Sequence, residues 1–124
     1  MKYMILVQSN PHFQERFDAL SDEQREAFGL DHLALTRELT ASGELVLSEA
    51  LAQPERAKRV TSADGRLTSS TDGPFAEAKE HLAGFYLVDC EDEARALEIA
   101  ARVPDAVWGL VEVRPVLDTS AWDL

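Results

Sequence analysis

The chain has very little cysteine, because Cys90 is the single cysteine among its 124 residues. One thiol cannot form an intramolecular disulfide, and it cannot supply the several thiolates of a cysteine-rich zinc site. Long apolar runs are also missing: the longest, Tyr3–Val7, is far shorter than the ~20 residues that a transmembrane helix needs. No small-residue cleavage site follows this run, so we expect no signal peptide and a cytoplasmic location.

Basic residues are scarce as well. The chain has 12 Lys and Arg residues against 23 Asp and Glu residues, which gives a formal net charge of -11. Proteins that bind nucleic acid or anionic membranes carry clustered Lys and Arg, so the composition predicts neither kind of partner. It leaves protein partners and small molecules open.

Sequence motifs typical of cofactor-binding proteins are absent too. The sequence contains no glycine-rich phosphate loop, no GxSxG nucleophile elbow and no dinucleotide fingerprint. The three histidines, His12, His32 and His81, have no recognisable metal-ligand spacing. We therefore predict neither a cofactor nor a metal site.

The hydrophobic pattern and the turn residues divide the chain into an alternating series of strands and helices. The predicted elements are strand Tyr3–Val7, helix Ser21–Gly43, strand Glu44–Leu51, strands Arg56–Ser62 and Arg66–Ser70, loop Thr71–Glu80, strand Leu82–Val88, helix Asp89–Val103 and strand Trp108–Val116. The residues from Asp118 to Leu124 are predicted to form a tail anchored by Trp122.

The first predicted helix has clear end signals. Ser21 with Gln24 three residues later forms a capping box, and Gly43 is suited to the left-handed position that ends many helices. One face of this helix is apolar except for a single histidine: Phe28, His32, Leu35 and Leu39. The second predicted helix places Ala94, Leu97 and Ala101 on one face.

The predicted hairpin and the last strand also have recognisable patterns. Asp64-Gly65 between two short strands is typical of a type I′ turn, which needs positive φ at both central residues. In the last strand the side chains of Val111 and Val113 point one way, whereas Glu112 and Arg114 point the other way.

Together these elements predict an α+β fold, a ferredoxin-like βαβ(ββ)αβ arrangement with an antiparallel sheet and both helices on one face. The other face of the sheet then needs a cover. Tyr3, Phe85 and Leu110 are apolar residues predicted for that face. A second copy of the sheet is the simplest cover, so we expect a homodimer.

The segment Thr71–Glu80 reads TDGPFAEAKE and is followed closely by Gly84-Phe85-Tyr86. It resembles the DGPF-motif branch of the YCII-related family, in which the pattern is DGPFAETKE and then a glycine with two aromatic residues. Ala78 stands where threonine is usual. The opening residues and Val111–Pro115 also look like this branch, so the resemblance implies one domain over residues 1–118 and a tail over 119–124.

The resemblance implies a dimeric α/β barrel, in which two ferredoxin-like sheets pack face to face around a cleft that holds a small molecule. Some members of the wider superfamily look like isomerase-type or dehydrochlorinase-type enzymes that use a His–Asp pair. Genes of the DGPF branch often lie beside extracytoplasmic-function sigma factors. The alternative hypothesis is therefore a non-catalytic regulatory or interaction protein linked to such a sigma factor.

His32 is the strongest candidate for catalysis. An imidazole on the apolar face of a helix can act as a general base when a carboxylate orients it, and Asp72 and Glu49 are the candidate partners. A proton transfer of the isomerase or lyase type would need no cofactor. The alternative interpretation is a histidine at the edge of the core whose nitrogens are satisfied by backbone or water.

The remaining candidates are predicted to bind the ligand, and each has a structural alternative. Asp72 and Gly73 begin a turn that Pro74 stiffens and Phe75 anchors, so this loop either keeps its own shape or presents groups to a ligand. The other predicted ligand-binding residues, whose structural alternatives are ion pairs and core packing, are Tyr3, Glu49, Lys79 and Arg114. Cys90 is expected to be a small, half-buried residue.

Overall fold

A computed structural model describes residues 1–73, 79–120 and 122 of the chain. Its strands are β1 Lys2–Ser9, β2 Leu45–Ala50, β3 Lys58–Ala63, β4 Arg66–Asp72, β5 His81–Asp89 and β6 Val111–Pro115. Its α-helices are α1 Pro11–Asp18, α2 Asp22–Ser42 and α3 Glu93–Ala101, and short 3₁₀ turns occupy Pro54–Arg56 and Pro104–Trp108. None of the helices in these described ranges combines the length and the hydropathy needed to span a membrane.

Four of the strands form one antiparallel sheet in the order β2-β5-β1-β6. The two central strands, β1 and β5, each have a neighbour on both sides, and they carry the continuous apolar runs of the sequence. Strands β3 and β4 follow β2 and precede β5 along the sequence, and they form a separate two-stranded hairpin. This confirms the predicted α+β, ferredoxin-like arrangement.

One face of the sheet is covered by α2 and α3. On β1 the residues that face the helices are Tyr3, Ile5 and Val7, all buried, since side chains two apart share a face of a strand. The core that they form continues across β5 and into both helices through Tyr86, Val88, Leu35, Leu39, Ala96, Ile99, Ala100 and Val103. The prediction that Tyr3 lies on the bare face was wrong. Tyr3 is two residues from Ile5 on the same strand, so both side chains point to the face that the helices cover.

The opposite face of the sheet, called the outer face here, has an apolar centre. The register aligns Leu87, Met4 and Arg114 in one row and Phe85, Leu6 and Glu112 in the next. Phe85 therefore lies on this face, as predicted. Leu110 was also predicted to be uncovered, but it is only 4% exposed and lies just before β6.

Helix α2 begins and ends as its sequence predicts. The Ser21 hydroxyl accepts a hydrogen bond from the Gln24 N–H at 3.1 Å, and the Gln24 side chain accepts one from the Ser21 N–H at 2.9 Å. Gly43 ends the helix with φ 81°, a left-handed conformation that glycine adopts without a steric penalty. Leu35 and Leu39 are buried against the sheet, which fixes the direction in which His32 points.

Helix α3 exists where it was predicted, but its buried face differs. Asp92 caps its first turn, and the buried residues are Ala96, Ile99 and Ala100, whereas Leu97 is 53% exposed. Both faces of this alanine-rich helix are apolar enough to be packed. Sequence periodicity could not choose between them, and the prediction of the Leu97 face was wrong.

Helix α1 was not predicted. The side chain of Asn10 accepts a hydrogen bond from the Phe13 N–H at 2.7 Å, and Pro11 occupies the first helical position. An Asn cap followed by Pro is a common helix start, so the sequence contained this signal. The helix matters because its two phenylalanines face the site described below.

The β3–β4 hairpin follows its turn chemistry. Asp64 and Gly65 have φ values of 51° and 74°, which confirms the predicted type I′ turn. The strand β4 runs on to Asp72, so the first two residues of the predicted Thr71–Glu80 loop are extended. Every residue of both hairpin strands is exposed. Trp122 is exposed too, so its predicted role as an anchor was wrong.

Candidate functional site

His32 lies at the centre of a chain of three polar side chains. Its Nε2 is 2.6 Å from Oδ1 of Asp105, and its Nδ1 is 2.6 Å from the hydroxyl oxygen of Tyr86. The imidazole is stacked almost parallel to the Tyr86 ring, with an interplanar angle of 7°. Both ring nitrogens are therefore engaged in short hydrogen bonds.

Three elements far apart in sequence bring these side chains together. His32 is on the middle turns of α2, Tyr86 is on the central strand β5, and Asp105 is in the 3₁₀ turn Pro104–Trp108. The side chain of Asp105 is only 6% exposed, whereas that of His32 is 26% exposed. A buried carboxylate needs a strong partner, and the imidazole N–H supplies one.

The three side chains can share protons in two ways. Burial, assisted by the nearby Asp105 charge, raises the pKa of Tyr86 above its ordinary value, while the Thr36 hydroxyl lowers it in part. With a neutral imidazole, the phenol donates to Nδ1 of His32 and the Nε2–H of His32 donates to Asp105. Protonating His32 reverses the first of these bonds, because Nδ1–H then donates to the Tyr86 oxygen.

A cavity of about 550 Å³ opens beside the hydrogen-bonded side chains Asp105, His32 and Tyr86, between the sheet and the helices α1 and α2. Its volume falls in the usual range of small-molecule sites. Aromatic rings in contact form one wall. The ring centroids of Phe13 and Phe28 are 6.1 Å apart, and those of Phe28 and His32 are 5.2 Å apart. The polar residues that line it, besides His32, Tyr86 and Asp105, are Ser9, Gln14, Thr36, Ser48 and Glu49.

Gly84 shapes the sheet side of the cavity. A Cβ atom at Gly84 would lie 2.8 Å from the carbonyl oxygen of Glu49 in the neighbouring strand β2. Only glycine lets β2 approach β5 this closely, so a side chain at Gly84 would displace the strand that borders the cavity. This explains in physical terms why a glycine precedes the two aromatic residues in β5.

The acid that orients His32 is Asp105, and neither of the two predicted partners occupies that position. Asp72 lies in β4 with its side chain 81% exposed, and it pairs with Lys58. The hydrogen bond from the Lys58 ammonium lowers the pKa of Asp72. Asp72 is not among the residues that line the cavity, whereas Glu49 borders it.

The other predicted ligand-binding residues are dispersed. Tyr3 is in the core, where burial raises the pKa of its phenol and its hydroxyl contacts the Met1 sulfur at 3.8 Å. Gly73 has φ 85° and donates its N–H to the carbonyl of Ala57 at 2.7 Å, so it shapes the end of the hairpin. Arg114 is on the outer face, and its Nε lies 3.8 Å from a carboxylate oxygen of Glu112.

Lys79 is exposed, and Phe75 lies outside the described residues. Cys90 is buried, and burial raises the pKa of its thiol, which agrees with a packing role. Within the described ranges, no group of three or more His, Cys, Asp and Glu side chains is arranged to hold a metal ion.

Sequence reasoning missed Asp105, Tyr86 and the phenylalanines of α1 as parts of this site. Tyr86 could have been found, because it is two residues from Gly84 and Val88 on the covered side of a predicted strand. Phe13 and Phe17 required recognition of the Asn10-Pro11 helix start. Asp105 gave no local signal, since a single acid after a helix is common on protein surfaces.

The fold and the polar chain define a ferredoxin-like α+β domain with a His–Asp–Tyr site beside a small-molecule-sized cavity. The sequence profile of the YCII-related domain matches residues 1–120, and the chain belongs to that family. An uncharacterized protein of Rhizobium meliloti is 37% identical over 100 residues, which cover 79% of this chain and 80% of that protein. The membership confirms the resemblance at the level of the family, and assignment to the DGPF branch stays a prediction.

Proposed function

We propose that this YCII-related domain binds a small molecule in the cavity beside His32 and moves a proton to or from it. The observation that supports the proposal is the hydrogen-bonded chain Asp105–His32–Tyr86 at the wall of a cavity of about 550 Å³. A buried acid that orients a half-buried histidine is a common arrangement for general acid–base catalysis. The reaction class is isomerisation or elimination, which needs no cofactor.

Tyr86 is the group that contacts the substrate in this proposal. Both nitrogens of His32 are occupied, so a ligand proton reaches the imidazole through the phenol oxygen. The Tyr86 oxygen accepts the proton of the substrate as its own proton passes to Nδ1. The products of this step are an imidazolium held by Asp105 and a substrate anion with the electron pair of the broken bond.

The second half of the reaction returns the proton. In an isomerisation the imidazolium returns the proton through Tyr86 to a different atom of the substrate. His32 and Tyr86 then have the same protonation as before the reaction. In an elimination the substrate anion expels a leaving group, and the proton is released afterwards. Asp105 accepts the Nε2–H hydrogen bond and stabilises the imidazolium, which is the costly intermediate in a partly buried site.

Deuterium exchange tests the proposal without knowledge of the natural substrate. The protein is incubated in D₂O with a panel of small compounds that carry a C–H group next to a carbonyl, and NMR follows the loss of that proton. We expect the wild type to accelerate exchange of at least one compound. Tyr86→Phe removes a single hydroxyl and should slow that exchange by ~100-fold or more, as should His32→Gln.

Glu112→Gln serves as the matched control, because Glu112 is polar and lies on the outer face away from the cavity. Its exchange rate should equal that of the wild type. Circular dichroism establishes that each variant is folded. If no compound exchanges faster with wild-type protein than in buffer, or if Tyr86→Phe and His32→Gln retain the wild-type rate, the proposal is wrong.

We also propose that the outer face packs against a second copy of the chain. The support is its apolar centre, Met4, Leu6, Phe85 and Leu87, on the face of the sheet opposite to α2 and α3. A self-complementary sheet face of this kind is typical of twofold dimers. The sigma-factor link and the cytoplasmic location stay predictions from the sequence.

A further inference from the structure

We infer that the ligand of this cavity is an uncharged aromatic molecule with a hydroxyl or carbonyl group that hydrogen-bonds to Tyr86. The inference rests on the proposed function, since it names the substrate class for the same site. Three features of the cavity support it: the charges along its lining, the partners of the nearby basic residues and the arrangement of its aromatic wall.

The lining of the cavity contains no lysine and no arginine among the described residues. The eight residues outside the described ranges, 74–78, 121 and 123–124, include no basic residue either. The acids that line the cavity are Asp105 and Glu49. A carboxylate or phosphate on the ligand would be desolvated near Asp105 with no arginine or lysine to pair with it, which disfavours binding.

Two arginines on or near the helices that wall the cavity have other partners. Arg16 stacks over the ring of Trp108 at 4.6 Å, and Arg25 pairs with Asp22 at 2.5 Å. Arg25 also donates to two backbone carbonyls at the turn before α2, at 2.8 and 3.0 Å. These contacts hold both guanidinium groups in structural roles.

A cationic ligand is disfavoured by the state of the two acids. Asp105 already accepts the hydrogen bond of His32, so its charge is compensated within the protein. Glu49 is exposed at the edge strand β2, where water screens its charge. An ammonium group would lose its hydration in the cavity without gaining a dedicated carboxylate.

The aromatic wall favours a flat ring. Phe13 and Phe17 stack with centroids 5.8 Å apart, and Phe17 meets Phe28 edge to face at 5.4 Å. Ring contacts continue from Phe28 through His32 to Tyr86. A planar ligand laid along this wall gains offset or edge contacts with several rings and places one polar group beside the Tyr86 hydroxyl.

A series of three probes of similar size tests the effect of charge. Benzyl alcohol, benzoate and benzylammonium each carry one polar substituent on a benzene ring, and that substituent is neutral, negative and positive, respectively. Each is titrated into ¹⁵N-labelled protein, and the amide shifts of Gly29, Thr36 and Ser48, which line the cavity, report binding there. We expect benzyl alcohol to bind with a dissociation constant at least ~10-fold lower than that of either charged probe, since unpaired buried charge is costly.

Gly29→Leu is the blocking variant. Gly29 lies one turn before His32 on the cavity side of α2, and a Cβ atom there would meet nothing within 4 Å. The leucine side chain should occupy the entrance and abolish the benzyl alcohol shifts. Val107→Leu, at a position that is 89% exposed and outside the cavity lining, is the matched control and should leave them unchanged.

The outcomes separate this inference from the proposed function. If benzoate or benzylammonium binds in the cavity as tightly as benzyl alcohol, the substrate class is wrong while the site stands. If none of the three probes perturbs the cavity residues, the inference is also wrong. Proton transfer is judged by deuterium exchange alone, so benzyl alcohol binding without exchange by any compound would contradict the chemistry and leave the substrate class intact.

Discussion

The two faces of the four-stranded sheet are made from alternate residues of the same strands, yet they end in different environments. Ile5 on β1 is fully buried under α2 and α3, whereas its neighbour Leu6 on the outer face is only partly buried. On β5, Tyr86 faces the helices and completes the His32 chain, whereas Phe85 belongs to the outer face. The protomer covers one apolar face itself and leaves the second as a surface.

This difference separates two functions that one sheet can serve. The covered face holds the polar chain and the cavity, so changes there should affect folding and ligand binding. The outer face should affect association between copies. The comparison predicts that neighbouring substitutions on one strand have unrelated consequences, and the following experiments test it.

The largest effect is expected for Ile5→Ala. Truncating a fully buried isoleucine leaves a cavity and should lower the free energy of unfolding by about 2–5 kcal/mol. Leu6→Asp should instead keep the protomer folded and dissociate the dimer, because it places a charge in the centre of the outer face. Chemical denaturation measures the first effect, and sedimentation velocity measures the second.

Val107→Asp is the control for Leu6→Asp, because Val107 is 89% exposed in the 3₁₀ turn and not on the sheet. It should sediment like the wild type. A wild type that sediments as a protomer at micromolar concentration, or a Leu6→Asp variant that still sediments as a dimer, would show that the outer face is not the interface.

A smaller effect is expected when ion pairs on the two faces are compared. On the covered side, two guanidinium nitrogens of Arg95 donate to Glu44 at 2.8 and 2.9 Å, and these bonds lower the pKa of Glu44 from 4.5 to about 2. The stabilisation is therefore complete above pH 4.5 and is lost as the pH falls towards 2. Glu44→Gln should lower the free energy of unfolding by about 1–2 kcal/mol at pH 7. It should also make the free energy of unfolding depend less on pH below 4.5.

Glu112→Gln is the comparison on the outer face. Its pair with Arg114 is longer, at 3.8 Å, and both side chains are more than half exposed. The change should alter the free energy of unfolding by less than about 0.5 kcal/mol at neutral pH. Urea titrations of both variants at pH 3 and pH 7 provide the measurement, and equal effects at the two sites would contradict the difference between the faces.

An effect of the opposite sign, a gain in stability, is expected for Gly29→Ala. Gly29 lies inside α2, and the added methyl group would meet nothing within 4 Å. Alanine restricts the unfolded chain and favours the helix, so the variant should gain about 0.5–1 kcal/mol in thermal or urea unfolding. A loss of stability would mean that the cavity side of α2 is packed more tightly than its open volume indicates.

Much of the fold could be predicted from local patterns. The capping residues of α2, the Asp64-Gly65 turn and the alternation in β6 act through neighbouring residues, so they are visible in the sequence. The direction of Tyr3 and the packed face of α3 were predicted wrongly. Both depend on which of two apolar stripes meets a partner, and that is decided by tertiary packing.

The candidate site was predictable only in part. His32 was identified from its position in the apolar stripe of α2, because a lone polar residue there is unusual. Its acid was not, since Asp105 is separated from it by 73 residues and reaches it only when the 3₁₀ turn packs under α2. The conspicuous acid of the DGPF motif, Asp72, lies on an exposed hairpin strand and pairs with Lys58.

The lone thiol of Cys90 gives the protein a built-in reporter of opening. It is buried where the backbone of residue 90 donates to the Met1 carbonyl at 2.9 Å, beside the end of the central strand pair. A thiol reagent can react there only after that end of the sheet separates, so the labelling rate would measure how often this part of the native state opens by local unfolding. No engineered probe is required to follow such fluctuations.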